Sequence, residues 1–93
     1  MSETIDDLTI AFSEEGTEKT KELDKHILSR GAWTTIMFRY QEWDNKIQDF
    51  GPIKFSIRRF QKRNDKYWLK SKFTISRDDQ ARKIIEVLKG WLE

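Results

Sequence analysis

The chain has no cysteine. Disulfides, thiolate nucleophiles and cysteine-ligated zinc are excluded at once. Its single histidine, His26, has no acidic residue at metal-ligand spacing around it, and a solitary histidine near a strand start is far more often a structural or surface residue than a ligand. The four glycines are scattered, with no G-x-S-x-G, phosphate-binding loop or dinucleotide fingerprint. The carboxylates gather near the N-terminus and at the start of the last helical stretch, where capping accounts for Asp78 and Asp79. These absences point away from an enzyme, and neither a metal nor a cofactor is expected. No apolar run approaches the roughly 18 residues of a membrane span. The opening MSETIDDLTIAF is acidic where a secretory signal would be basic and then apolar. No membrane partner is expected, and the expected location is cytoplasmic, nucleoid-associated in a bacterium.

Ninety-three residues suffice for one small domain with a single modest core. Aromatics reach 13% in a chain that is 37% charged, and four of them are Trp. The formal net charge of +2 conceals a strong asymmetry. Residues 1–24 hold eight acids (Glu3, Asp6, Asp7, Glu14, Glu15, Glu18, Glu22, Asp24) against Lys19 and Lys21. Residues 54–72 hold Lys54, Arg58, Arg59, Lys62, Arg63, Lys66, Lys70 and Lys72 against Asp65 alone. An acidic segment beside a basic one often marks nucleic-acid binders. Residues 1–24 lack a sustained apolar period and are expected to be flexible or loosely docked, shielding the basic stretch electrostatically. Residues 25–93 are expected to form the single folded domain.

AWTTIMFRYQEW (32–43) alternates and is rich in β-branched and aromatic residues, the pattern of a strand. Ile36, Phe38 and Tyr40 fall on one face, and Trp33, Arg39 and Trp43 on the other. DNKIQDFGP (44–52) reads as a loop. KFSIRRFQKR (54–63) is a second strand, with Phe55 and Ile57 on the apolar face and Lys54, Arg58, Phe60 and Lys62 opposite. Asn64-Asp65 predicts a hairpin turn. The next strand, KYWLKSKFTIS, places Tyr67, Leu69, Phe73 and Ile75 on one face and Trp68, Lys70 and Lys72 on the other. Ser76 reads as the N-cap of a closing helix whose stripe is Ala81, Ile84, Ile85, Leu88, Trp91 and Leu92. That helix is expected to cover the apolar side of the sheet. The expected fold is α+β: a curved antiparallel sheet of about four strands followed by one C-terminal amphipathic helix.

The polar sheet face collects Trp33, Arg39, Trp43, Lys54, Arg58, Phe60, Lys62, Trp68, Lys70 and Lys72. Lys and Arg neutralise phosphates with release of counterions, and unpaired bases offer π-faces to Trp and Phe. Duplex bases are already stacked on each other, so this mixture favours single strands. The same cations could equally be a wetted sheet face, or a surface docking an acidic protein partner.

In element order and in its "GAW…FRYQEWDN", "IKFSIRRFQ" and "KSKFTIS" strands the chain resembles the transcriptional positive-cofactor-four family of single-stranded-DNA-binding coactivators. The resemblance covers about residues 26–92. It implies a homodimer assembled through the helices, with Ile84, Ile85, Leu88, Trp91 and Leu92 in the seam, and single-stranded DNA or RNA held along the basic and aromatic sheet residues. It also implies a role like that of a transcriptional coactivator. Two departures stand out: Ser71-Lys72 occupies the place where members commonly carry a glycine, and the N-terminal extension is acidic.

Overall fold

The computed structural model of the chain describes residues 4–93; Glu3, counted above in the acidic segment, lies outside them. A single 3-10 turn at Ile5–Asp7 precedes β1 (Phe12–Glu14), β2 (Thr17–Ser29), β3 (Trp33–Asp44), β4 (Asp49–Phe50), β5 (Lys54–Arg63), β6 (Lys66–Ile75) and α1 (Asp78–Leu92). The fold is a curled antiparallel sheet, a half-barrel, in the order β1-β2-β3-β5-β6, with β4 paired to the end of β3 and one C-terminal helix. The expected α+β class is observed, with more strands than the four anticipated.

The added strands come from the N-terminal side. The expected boundary at residue 24 falls inside β2, so no flexible segment ends there. Two features hid this strand. Its register against β3 shifts at Leu23 and again at Leu28, and each shift breaks the period of two by which strands are recognised. The turn before it is Glu15-Gly16, both residues at positive φ, as a two-residue type I′ hairpin requires. The anticipated Asn64-Asp65 hairpin between β5 and β6 has the same geometry, with φ of 53° and 61°.

Residues directly opposite each other in adjacent strands share a face, so the registers sort the side chains. Thr34, Ile36, Phe38 and Tyr40 of β3 lie opposite Phe60, Arg58, Ser56 and Lys54 of β5. This is the inner face, and it carries the core: Ile36, Phe38, Tyr40, Phe60 and Tyr67 cluster with Leu8 and Ile10. Phe55 and Ile57 lie opposite Arg39 and Met37, on the outer face. The expected faces of β5 were therefore reversed. In β6 the register jumps from Arg59↔Ser71 to Phe60↔Leu69 and leaves Lys70 without a partner. That bulge inverts the alternation, so Tyr67 and Leu69 face inward while Phe73 and Ile75 face outward.

The element that closes the core is not the helix. Leu8 and Ile10 are 4% and 5% exposed, and Ile5 packs against the same cluster. Lys25, reaching from β2, donates from Nζ to the carbonyls of Ile5, Asp6 and Leu8, while the Glu22 carboxylate accepts from the Thr9 hydroxyl and the Ile10 N–H. A segment that follows no strand ladder thus has its backbone groups satisfied by two side chains. The helix has Arg77 at its N-cap, with no side-chain capping bond, rather than Ser76. None of its residues is buried, and its sheet contacts are confined largely to β6. The Cα radius of gyration is 14.9 Å, above the roughly 12 Å of a compact domain of this length, as a helix standing off a single-layer sheet would produce.

Candidate nucleic-acid interface

The sequence grouped ten residues on one face, and the structure divides them. On the inner face, Arg58 lies directly opposite Lys72, a like-charge cross-strand pair of the kind that destabilises a sheet in isolation. Arg58 is half-buried, and its Nε donates only to the Ser56 hydroxyl at 3.2 Å. Burial pulls its guanidinium below the ordinary pKa, with Tyr40 and Glu42 acting in the opposite sense. Its charge is thus held where water solvates it poorly and no carboxylate pairs with it. Lys54, also on this face, forms an ion pair with Glu42 at 2.9 Å. That hydrogen bond holds the Lys54 ammonium above its ordinary pKa. The contribution is present throughout the neutral range and is lost only in strongly alkaline solution. Lys62 sits opposite Tyr67, its Nζ 5.9 Å from the ring centroid.

Phe60 does not belong to the interface. Its ring is 6% exposed and lies opposite Thr34, under Leu8 and Ile10 in the core. The correct register, and not the composition of the strand, decides this. Trp43 is half-buried in the β3–β4 hairpin: Nε1 donates to Asn45 Oδ1 at 2.8 Å, and the ring meets Phe50 edge-on at 5.4 Å. Its role is to pack that hairpin. Arg39 projects from the outer face beside Phe55, next to Asp24 in the neighbouring strand, away from the β5–β6 turn.

Trp33 and Trp68 occupy the outer face and flank Gln61, which lies opposite both. Cross-strand spacing places their backbones roughly 10 Å apart. Arg59 lies over the Trp33 ring at 4.3 Å from its centroid, so one indole face is already stacked on a guanidinium. Trp68 is 40% exposed, and its Nε1 donates to the Arg63 carbonyl at 3.3 Å, which ties the indole to the hairpin turn. Lys70, at the bulge, lies on the outermost strand between the inner Lys72 and the outer Trp68.

Taken by element, the β5–β6 hairpin carries the free charge. Among the described residues, Arg58, Arg59, Lys62, Arg63, Lys66, Lys70 and Lys72 have no carboxylate within ion-pair distance, and Lys54 is the exception. Arg59 and Arg63 were left out of the expected basic face because alternation placed them on the apolar one; pairing the hairpin as a unit around Asn64-Asp65 would have grouped them with it. His26 is exposed, with its Nε2 3.4 Å from Asp24 Oδ2. The Asp24 carboxyl is held below its ordinary value chiefly by the Lys25 backbone N–H, with His26 and Arg39 adding to the effect. No helix among the described residues is long and apolar enough to cross a membrane. No protein-family model, no curated protein and no solved structure matches this chain.

Proposed function

We propose that this chain binds single-stranded nucleic acid, DNA in the first place, through the β5–β6 hairpin. The observation that carries the reading is the set of seven cations on the two faces of that hairpin, from Arg58 to Lys72, with no carboxylate partner among the described residues, together with the exposed, hydrogen-bonded Trp68. Because β6 is an edge strand, a flexible backbone can pass from Arg58 and Lys72 over the edge at Lys70 to the indole of Trp68. A stiff duplex cannot follow that path, and its bases are not free to stack. Phosphate contacts and stacking read no base edges, so binding is largely independent of sequence. A role like that of a transcriptional coactivator accords with the family resemblance of the strands. An acidic protein partner would use the same cations but would have no need of an exposed indole.

The proposed assembly is a homodimer through α1. Ile85, Leu88, Trp91 and Leu92 are exposed and Ile84 is half-buried, so most of the apolar stripe of the helix is left uncovered by the described residues. An isologous seam around a two-fold axis is the default way to cover such a stripe.

The two kinds of hairpin residue should fail differently. Lys72→Ala and Arg58→Met should each weaken oligonucleotide binding and reduce the slope of log affinity against log salt by roughly one counterion. Arg58→Met should also leave the melting temperature unchanged or raise it, because it removes a half-buried charge without a partner. Trp68→Ala should cost roughly 1–3 kcal/mol of binding while the salt slope stays nearly constant. Titrations at several salt concentrations, with single strands and duplex of equal length, measure all three. Equal affinity for duplex, with no effect of Trp68→Ala, would reduce the hairpin to a generic basic surface.

A further inference from the structure

At the tip of the β5–β6 hairpin, Arg63, Asn64, Trp68, Leu69 and Lys70 line a cavity of about 340 Å³, within the size range of small-ligand sites. Each lining group offers something different. Trp68 presents an exposed indole whose orientation is fixed by its bond to the Arg63 carbonyl. Asn64, held in the left-handed region at φ 53° by the type I′ turn, carries an amide that is both donor and acceptor and makes no side-chain hydrogen bond among the described residues. Arg63 and Lys70 each lack a carboxylate partner among the described residues. Lys70 is the residue skipped in the register between Ser71 and Leu69, so the bulge sets it apart from the regular ladder.

We infer that this cavity takes a single nucleotide bearing a phosphate monoester, with the base on Trp68, the base edge at Asn64 and the phosphate between Arg63 and Lys70. The charge arithmetic favours a monoester over an internal linkage. A phosphodiester brings one negative charge, whereas a monoester carries about −1.5 to −2 at neutral pH and three acceptor oxygens. Two cations beside one aromatic platform match the latter. The site lies at a corner of the sheet, where β6 begins at its outer edge, and is open to a chain terminus. This inference rests on the proposed binding of nucleic acid for its choice of ligand class, and it goes further in assigning a discrete end-recognising site. The ligand's source is either a phosphorylated strand end or a free mononucleotide.

The probes are adenosine 5′-monophosphate, adenosine and inorganic phosphate at one ionic strength, followed by calorimetry. The monophosphate should bind at least about tenfold more tightly than either half of itself, since it combines stacking with a charge-assisted pair. Trp68→Ala and Arg63→Gln should each weaken it by about tenfold or more. Both residues are exposed, and retained β-sheet circular dichroism certifies the fold of each variant. A short oligothymidine with and without a terminal phosphate then separates the sources: a gain from the phosphate assigns strand ends, and tight binding of the monophosphate without such a gain assigns the free nucleotide. Monophosphate binding no tighter than that of inorganic phosphate, or unchanged in both variants, overturns the site. The broader reading fails separately. Hydroxyl-ended strands that bind through Arg58 and Lys72 while the monophosphate does not would remove only the end site. A monophosphate that binds while strands do not would remove only the interface.

Discussion

Replacing Leu8 and Ile10 together by alanine should unfold the chain at ordinary temperatures. Each such truncation of a buried aliphatic side chain costs about 2–5 kcal/mol, against a total stability of roughly 5–15 kcal/mol for domains in general. A domain of 93 residues built on one sheet stands near the lower end of that range. At about 4–8 °C of melting temperature per kcal/mol, even a partial effect is large. Thermal melts followed by circular dichroism measure it, and a double variant melting within a few degrees of the parent would show that the segment is not part of the core. The acidic segment is therefore structural over much of its length. Deleting residues 1–22 would remove Leu8, Ile10, β1 and the first six residues of β2. Any shielding of the basic hairpin is separable from folding only through neutral substitutions at the exposed Glu14, Glu15 and Glu18.

The second large effect concerns assembly. Leu88→Asp with Trp91→Asp should turn a dimer into a folded monomer. The fold should not depend on these two side chains, since Trp91 is 80% and Leu88 48% exposed within the chain and no residue of the helix is fully buried. Each copy would lose roughly 2–3 kcal/mol of apolar burial, and two copies together shift the dissociation constant by about three to four orders of magnitude. The carboxylates add a desolvation cost. Sedimentation of parent and variant at several concentrations gives the answer directly. A parent chain that stays monomeric throughout would remove the proposed seam.

The alternation of Ile36, Phe38 and Tyr40 was legible because one face of β3 is wholly buried, and burial of one face is what makes a period of two visible. The Asn64-Asp65 turn was legible because its residue types tolerate positive φ. The faces of β5 were not. Phe55 and Ile57 are as apolar as Phe60, and nothing local reveals that the ladder with β3 sets Ser56 and Arg58 beside Phe38 and Ile36. The bulge at Lys70 is equally silent in sequence, yet it moves Trp68 away from Lys72 to the other face. The basic character of the hairpin was thus legible in its residue types, while the grouping of those residues on two faces was a long-range property. Leu8 and Ile10 gave a weaker signal still, since they join the core as an irregular segment with a single 3-10 turn before it.

The docking of that segment has a consequence for how the chain is made. Leu8 and Ile10 leave the ribosome well before their partners Phe60 and Tyr67. At roughly 5–20 residues per second, the interval between Leu8 and Tyr67 lasts several seconds. Over that time β2 and β3 can pair as a neighbouring hairpin, but the cluster that includes Phe38 still lacks Phe60 and Tyr67. Lys25 can already gather the carbonyls of Ile5, Asp6 and Leu8, so the earliest order is a local clasp that waits for the last strand to arrive. Nascent chains stalled before Phe60 is synthesised should accordingly be cut readily by protease throughout residues 4–44, and chains released after Ile75 should resist. Equal resistance at both lengths would mean that the first half of the molecule folds without the second.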